Sequence, residues 1–167
     1  TPGLIGQMTG FLMSKQRYNY ATVYVGHYSS MGYVYLQQTN TATETLLSKA
    51  AFERQSAERG VKIQHYHADN GVFKANAWVQ ACMQSNQGLT FAAVGAHHQN
   101  GKAERRIREL QETARAMMLH AARRWPKAIT PHLWPYAIRM ASVSYNQAAS
   151  LKDKPGRSPN QIFEQKE

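Results

Sequence analysis

Two short runs near the start constrain the fold of this chain more than any other feature. Tyr20-Ala21-Thr22-Val23-Tyr24-Val25 and Gly32-Tyr33-Val34-Tyr35-Leu36-Gln37 are rich in β-branched and aromatic residues and alternate along their length, as half-buried strands do. Only the connection from His27 to Met31 separates them, so they read as an antiparallel hairpin. Tyr24, Tyr33 and Tyr35 read as sheet-face packing rather than as a platform for stacking bases.

Downstream the period changes. Thr41-Ala42-Thr43-Glu44 has the Thr-x-x-Glu form of a capping box, and Leu46, Leu47, Ala50 and Ala51 follow at helical spacing up to Gly60, a C-terminal stop. Val61–His67 is a third strand that delivers Asp69 at its C-terminal end. A helix over about 75–86 carries Trp78, Ala81 and Cys82 on its apolar side; Gly88 breaks it and Leu89–Val94 is a further strand. The polar loop 95–101 leads into a long helix with Ile107, Leu110, Ala114, Met117 and Ala121 in one stripe, ended by Pro126. Thr130-Pro131 starts a last helix, with Leu133, Trp134, Ala137, Ile138, Ala141 and Tyr145 inward. Residues 1–19 give no clear period and read as an irregular lead-in with room for one short strand. Residues 1–149 thus form one α/β layered domain, and 150–167 a polar linker or tail.

Charge narrows the partner. Against 10 Asp+Glu stand 20 Lys+Arg, a net charge of +10 and a pI near 9.9. Such a surface favours a polyanion, because neutralising phosphates releases counterions. Cys82 is the single cysteine, which excludes a disulfide framework and a cysteine zinc site and makes a reducing compartment the default. No apolar run approaches the ~20 residues that span a bilayer, so no membrane partner is expected. The chain opens Thr1-Pro2-Gly3 with no initiator Met or signal pattern, and is expected to be a piece of something longer.

Two acids carry the chemistry. Asp69 ends a strand; Glu104 opens a basic helix 35 positions later. Carboxylates on rigid elements among cations suit Mg²⁺ or Mn²⁺ beside a phosphate. Asp69-Asn70-Gly71 is equally a turn signal, and Glu104 an ordinary helix N-terminal acid, so both readings stand on spacing alone. Lying one turn before Ile107, Glu104 is expected on the core side of its helix. No bridging carboxylate offers itself: Asp153 is in the tail, and Glu44, Glu53 and Glu58 fall on the exposed side or far end of a surface helix. Adjacent His97 and His98 point to opposite sides, and Cys82 reads as a buried small hydrophobe. The cations Lys102, Arg105, Arg106 and Arg108 around Glu104 favour phosphate contact over a solvated face.

At this point a resemblance enters. His67-Ala68-Asp69-Asn70-Gly71, Gly95-Ala96-His97-His98-Gln99-Asn100-Gly101-Lys102-Ala103-Glu104-Arg105-Arg106-Ile107-Arg108, Met118-Leu119-His120-Ala121 and Leu133-Trp134-Pro135-Tyr136-Ala137 resemble the integrase catalytic core of copia-type retrotransposon polyproteins, over about residues 20–149. The resemblance implies an RNase H-like fold, a mixed five-stranded sheet flanked by helices, with an Asp, Asp, Glu metal triad. Asp69 matches the second aspartate and Glu104 the glutamate. The first lies on the first strand in relatives; nothing acidic precedes Glu44 here, so that strand is expected upstream of Thr1. Gly26 stands where relatives often carry an additional aspartate outside the triad. The implied activity is Mg²⁺-dependent (or Mn²⁺-dependent) DNA strand transfer, with Asp69 and Glu104 as catalytic metal ligands. Gln99, Asn100, Lys102, Arg105, Arg106 and Arg108 would hold DNA, both element ends and target. The expected assembly is a homo-oligomer, intracellular, in a cytoplasmic particle and then the nucleus, with this fragment inactive alone. The rival readings are a retroelement remnant that only binds nucleic acid and an RNase H-type nuclease.

Overall fold

A computed structural model describes residues 2–9, 14, 17–69, 71–92, 101–149 and 156–164. The strands are β1 (Pro2–Thr9), β2 (Tyr20–Gly26), β3 (Gly32–Gln37), β4 (His65–Ala68) and β5 (Gly88–Phe91). The helices are α1 (Ala42–Glu58), α2 (Asn76–Gln84), α3 (Gly101–Arg124), α4 (Trp134–Gln147) and α5 (Pro159–Phe163). One mixed sheet runs β3-β2-β1-β4-β5, antiparallel from β3 to β1 and parallel from β1 to β5. No helix among the described residues is long and apolar enough to cross a membrane.

The expected hairpin is β2–β3, with Val23 opposite Val34. Alternation then feeds two cores. Leu4, Met8, Val23, Val25, Val34 and Leu36 meet Leu110 and Ala114 of α3 and Trp134, Ile138 and Ala141 of α4 on one face. Ile5, Tyr24, Tyr66 and Ala68 meet Phe52, Phe73, Trp78 and Cys82 on the other. There Tyr24 stacks on Phe52 at 4.5 Å and Trp78 meets Tyr66 and Phe73 edge-on at 5.7 and 5.2 Å. Each such pair adds about 0.5–1.5 kcal/mol beyond area burial.

Four expectations need correction. The first strand is present: β1 fills the centre of the sheet from residues read as an irregular lead-in. Two glycines and a proline hid its period. The α1 stripe is misplaced: Leu47 is 55% exposed, while Thr45, Ser48, Lys49, Phe52 and Ser56 are buried. The sheet beneath is polar enough to receive them. Gln7 reaches both Thr22 and Thr45, Gln37 reaches Thr45, and the Tyr24 hydroxyl lies 2.6 Å from Ser48 Oγ. The Thr41 cap forms, but Glu44 reaches back past it to the N–H groups of Gln38 and Thr39. Finally, part of the expected tail docks. Ser158 closes a capping box with Gln161, Ile162 and Phe163 are buried, and Arg59 binds Glu164 at 2.8 Å.

Candidate nucleic-acid and metal site

Asp69 follows directly on β4. Tyr66 and Ala68 are fully buried in the α1–α2 core, so alternation turns His65, His67 and Asp69 to the face that α3 and α4 cover elsewhere. Asp69 is half-buried, and its Oδ1 accepts the Gly71 N–H at 3.1 Å, the local turn that an Asp two residues before a Gly favours. Parallel pairing of Ile5 with Ala68 puts Gly6 of β1 at the level where Asp69 emerges. A Cβ on Gly6 would lie 2.8 Å from Ile107 Cδ1 and 3.7 Å from Ala103 Cβ. The first turns of α3 therefore rest on β1 at that level, where a bare backbone lets them approach.

The rotation of α3 decides where Glu104 goes. Ala103, Leu110 and Ala114 face the sheet. Arg106 leans to the β2–β3 flank: its Nη1 donates to the Ser30 carbonyl at 3.0 Å, its Nε to Glu109 at 3.2 Å, and its guanidinium lies 3.3 Å from the Tyr145 ring centroid. At roughly 100° per residue Glu104 lies about 160° from Arg106. It occupies the opposite flank, the one towards β4 and Asp69. Arg108 shares that flank, and Arg105 points away from the sheet. Glu104 itself is exposed, which corrects the expectation of a core-side position; Ala103 takes that place.

Arg106 is a second correction. Only 4% exposed, it is spent on a carbonyl, a carboxylate and a ring rather than offered to a phosphate. Burial pulls its pKa down, while Tyr145 and Glu109 oppose the shift. Lys102 Nζ donates to the His27 carbonyl. Arg105 and Arg108 are exposed, as a phosphate contact requires. Gln99, Asn100, His97 and His98 lie outside the described residues.

The oxygen donors suit a hard ion, although among the described residues no three His, Cys, Asp or Glu side chains converge. β1 bears no acid, and Gly6 stands at the level of Asp69. Two carboxylates fit one ion completed by water and phosphate oxygens, not a bridged pair.

No family model matches the sequence. A retrovirus-related Pol polyprotein from transposon RE1 of Arabidopsis thaliana is 27% identical over 138 residues, 81% of this chain. The chain spans 9% of that polyprotein's length. Among solved structures, the BIV integrase catalytic core domain superposes with a TM-score of 0.69 at 18% identity, covering 97% of this chain and 92% of that one. The HTLV-2 integrase catalytic core, solved as a dimeric form in complex with magnesium, gives 0.65 at 19% identity, with 97% and 93% covered. A chain of the simian T-cell lymphotropic virus intasome gives 0.70 at 16%, with 97% and 52% covered. This chain has the integrase-core, RNase H-like fold.

Within that fold, sequence reasoning missed one buried charge cluster. Glu53, read as an exposed helix position, accepts from Lys49 Nζ and the Tyr66 hydroxyl at 2.8 Å each and from Gln87 Nε2 at 2.6 Å. The i,i+4 spacing of Lys49 and Glu53 was visible; the burial of Lys49 was not. The cluster lies on the other face of the sheet from Asp69 and supports the sheet rather than the site. Cys82 is buried as expected, and burial raises its thiol pKa.

Proposed function

We propose that this chain is the catalytic-core portion of a retrotransposon integrase, which joins element DNA ends to target DNA by polynucleotidyl transfer. What supports the reading is register and helical spacing: parallel pairing of β1 with β4 brings Asp69 out on the sheet's α3 side, and Glu104, about 160° round α3 from Arg106, falls on the flank towards it. Asp69 and Glu104 would hold a divalent ion, Mg²⁺ or Mn²⁺, which when bound lowers the charge barrier at a phosphodiester. The exposed Arg105 and Arg108 hold backbone phosphates near it, which fixes DNA position with little sequence preference. In the reaction a terminal 3′-hydroxyl oxygen forms a new bond to a target phosphorus as that phosphorus loses its bond to the target's own 3′-oxygen. The number of phosphodiesters is conserved, so no external energy source is required.

Partners follow from the same reading: element and target DNA, and further copies of the chain. Tyr136, Met140 and Val143, exposed at helical spacing on α4, support self-association. Integration would take place in the nucleus after assembly in a cytoplasmic particle. A second reading, a remnant that binds nucleic acid without catalysis, is favoured by one observation, the absence of any acid on β1.

Strand transfer by the full-length integrase with Asp69→Asn and Glu104→Gln tests the proposal. Loss of joining in both variants with DNA binding retained supports it. Full activity in either removes that ligand assignment, and DNA binding without joining by the parent protein selects the second reading.

A further inference from the structure

We propose that Arg106, seconded by Lys102, is a positioning residue for Glu104: by gripping the β2–β3 turn it fixes the rotation of α3 about its own axis. The functional part rests on the reading of Glu104 given above; the geometric part stands alone. Two cations one turn apart on α3 each hold a carbonyl of the same turn, Lys102 that of His27 and Arg106 that of Ser30. The turn is itself fixed. Gly26 N–H donates to the Met31 carbonyl at 2.8 Å, Ser30 N–H to the Gly26 carbonyl at 2.9 Å, and Ser29 Oγ accepts the Met31 N–H at 3.2 Å. Ser30 takes a left-handed backbone, φ 59°, in the residue whose carbonyl Arg106 holds.

From the other side α4 fixes the next residue. Asn146 Oδ1 accepts the Gly32 N–H at 2.8 Å and its Nδ2 donates to the Gly32 carbonyl at 2.6 Å, in the manner of a paired strand. Tyr145, the neighbouring residue, is the ring on which Arg106 lies. A Cβ on Gly32 would come within 3.3 Å of Arg106 Nη1, so a bare backbone there lets the guanidinium reach the turn. α3, α4 and the turn thus share one buried cation.

The consequence lies across the helix. The sheet-facing residues of α3 at the site end, Ala103 and Ile107, are apolar and meet a glycine, Gly6, through contacts that have no preferred direction. Such a contact allows the helix to roll. Polar bonds with fixed directions do not. With Arg106 about 160° from Glu104, any roll that the lost bonds permit moves the carboxylate towards or away from Asp69.

The test has two arms. In the isolated chain with Cys82 replaced by Ala, nitroxides at Gln64→Cys and Arg108→Cys report the separation of β4 and α3 by pulsed electron spin resonance. Arg106→Met, which keeps volume and loses the Ser30 bond, is expected to shift or broaden the distance distribution; Arg106→Lys, which keeps a donor, is expected to restore it in part. Lys102→Met should produce a smaller change in the same direction and serves if Arg106→Met fails to fold. In the full-length protein, Arg106→Met is expected to lower kcat for strand transfer about 10²-fold with KM for DNA unchanged, as a misplacement of roughly 1 Å does. An unchanged, narrow distance distribution in the folded variants overturns the proposal whatever the activity. A shifted distribution with an inactive parent protein upholds the positioning and removes only the integrase reading.

Discussion

Replacing Glu53 by Ala is the most demanding test of how the sheet is supported. Lys49 is 4% exposed, and Glu53 supplies the carboxylate that neutralises it while also accepting from Tyr66 and Gln87. Burial first, and then the charge of Glu53, hold the Tyr66 phenol far above its usual pKa, so it stays a donor. Removing one partner of a buried ion pair costs about 3–5 kcal/mol because the other charge is left unpaired. The Glu53 side chain is 27% exposed, so water screens part of that loss and the lower figure of about 3 kcal/mol applies. In a domain of this length that lowers Tm by about 6–12 °C. Glu53→Gln keeps an acceptor for Tyr66 and should cost about half as much. The double variant Lys49→Met/Glu53→Gln removes both charges and should be more stable than the two single changes predict, by at least about 1 kcal/mol. Urea melts at constant m-value measure the parent and the four variants, the single change Lys49→Met included. An Ala variant within about 1 kcal/mol of the parent, or strict additivity in the cycle, would refute the account of Glu53 as the counter-charge of a buried lysine.

Other outcomes follow from individual groups. Burial pushes the Glu44 carboxyl up, but the Thr39 hydroxyl and the N–H groups of Gln38 and Thr39 together outweigh it and hold the group below its usual value. A depressed carboxyl stabilises fully above its unfolded pKa and loses that contribution as pH falls through the folded one. Glu44→Gln should therefore be less stable than the parent at neutral pH and converge with it in acid; a gap that persists in strong acid refutes this. Cys82, buried and raised in pKa, should react with thiol reagents only as the chain unfolds, so labelling at native urea concentrations contradicts its placement. Arg105→Gln/Arg108→Gln should lower the salt slope of DNA binding by about 2, roughly one per phosphate contact. Arg106→Gln should lower stability and leave that slope unchanged, since its guanidinium is already engaged; a changed slope would return it to the DNA-facing set.

Much of the order of elements was legible. The hairpin, the helix stopped by Gly60, whose φ is 74°, and the long basic helix all appear where periodicity and capping residues put them. Where the reading failed, competing physics explains it. β1 carries two glycines and a proline, so no local preference marked it. Non-local pairing with β2 and β4 on both sides made it a strand. On α1 the stripe of Leu46, Leu47, Ala50 and Ala51 suggested an apolar inner face, yet polar side chains from the sheet offered partners that made Thr45, Ser48 and Lys49 the buried set. At the site, residue types named Asp69 and Glu104, and treated four cations beside Glu104 as equivalent. They are not, because helix rotation gives each a different flank.

The sequence by itself determined that this chain is a basic α/β domain with an acid at a strand end and another opening a cationic helix. Those properties depend on local periodicity, capping and charge, which a linear string contains. Only the tertiary structure decided that the first run of the chain becomes the central strand, that Arg106 is buried while Arg105 and Arg108 are not, and that Glu104 turns towards the flank where Asp69 emerges. Each of these depends on the rotation and register of one element against another, set by contacts between residues far apart along the chain.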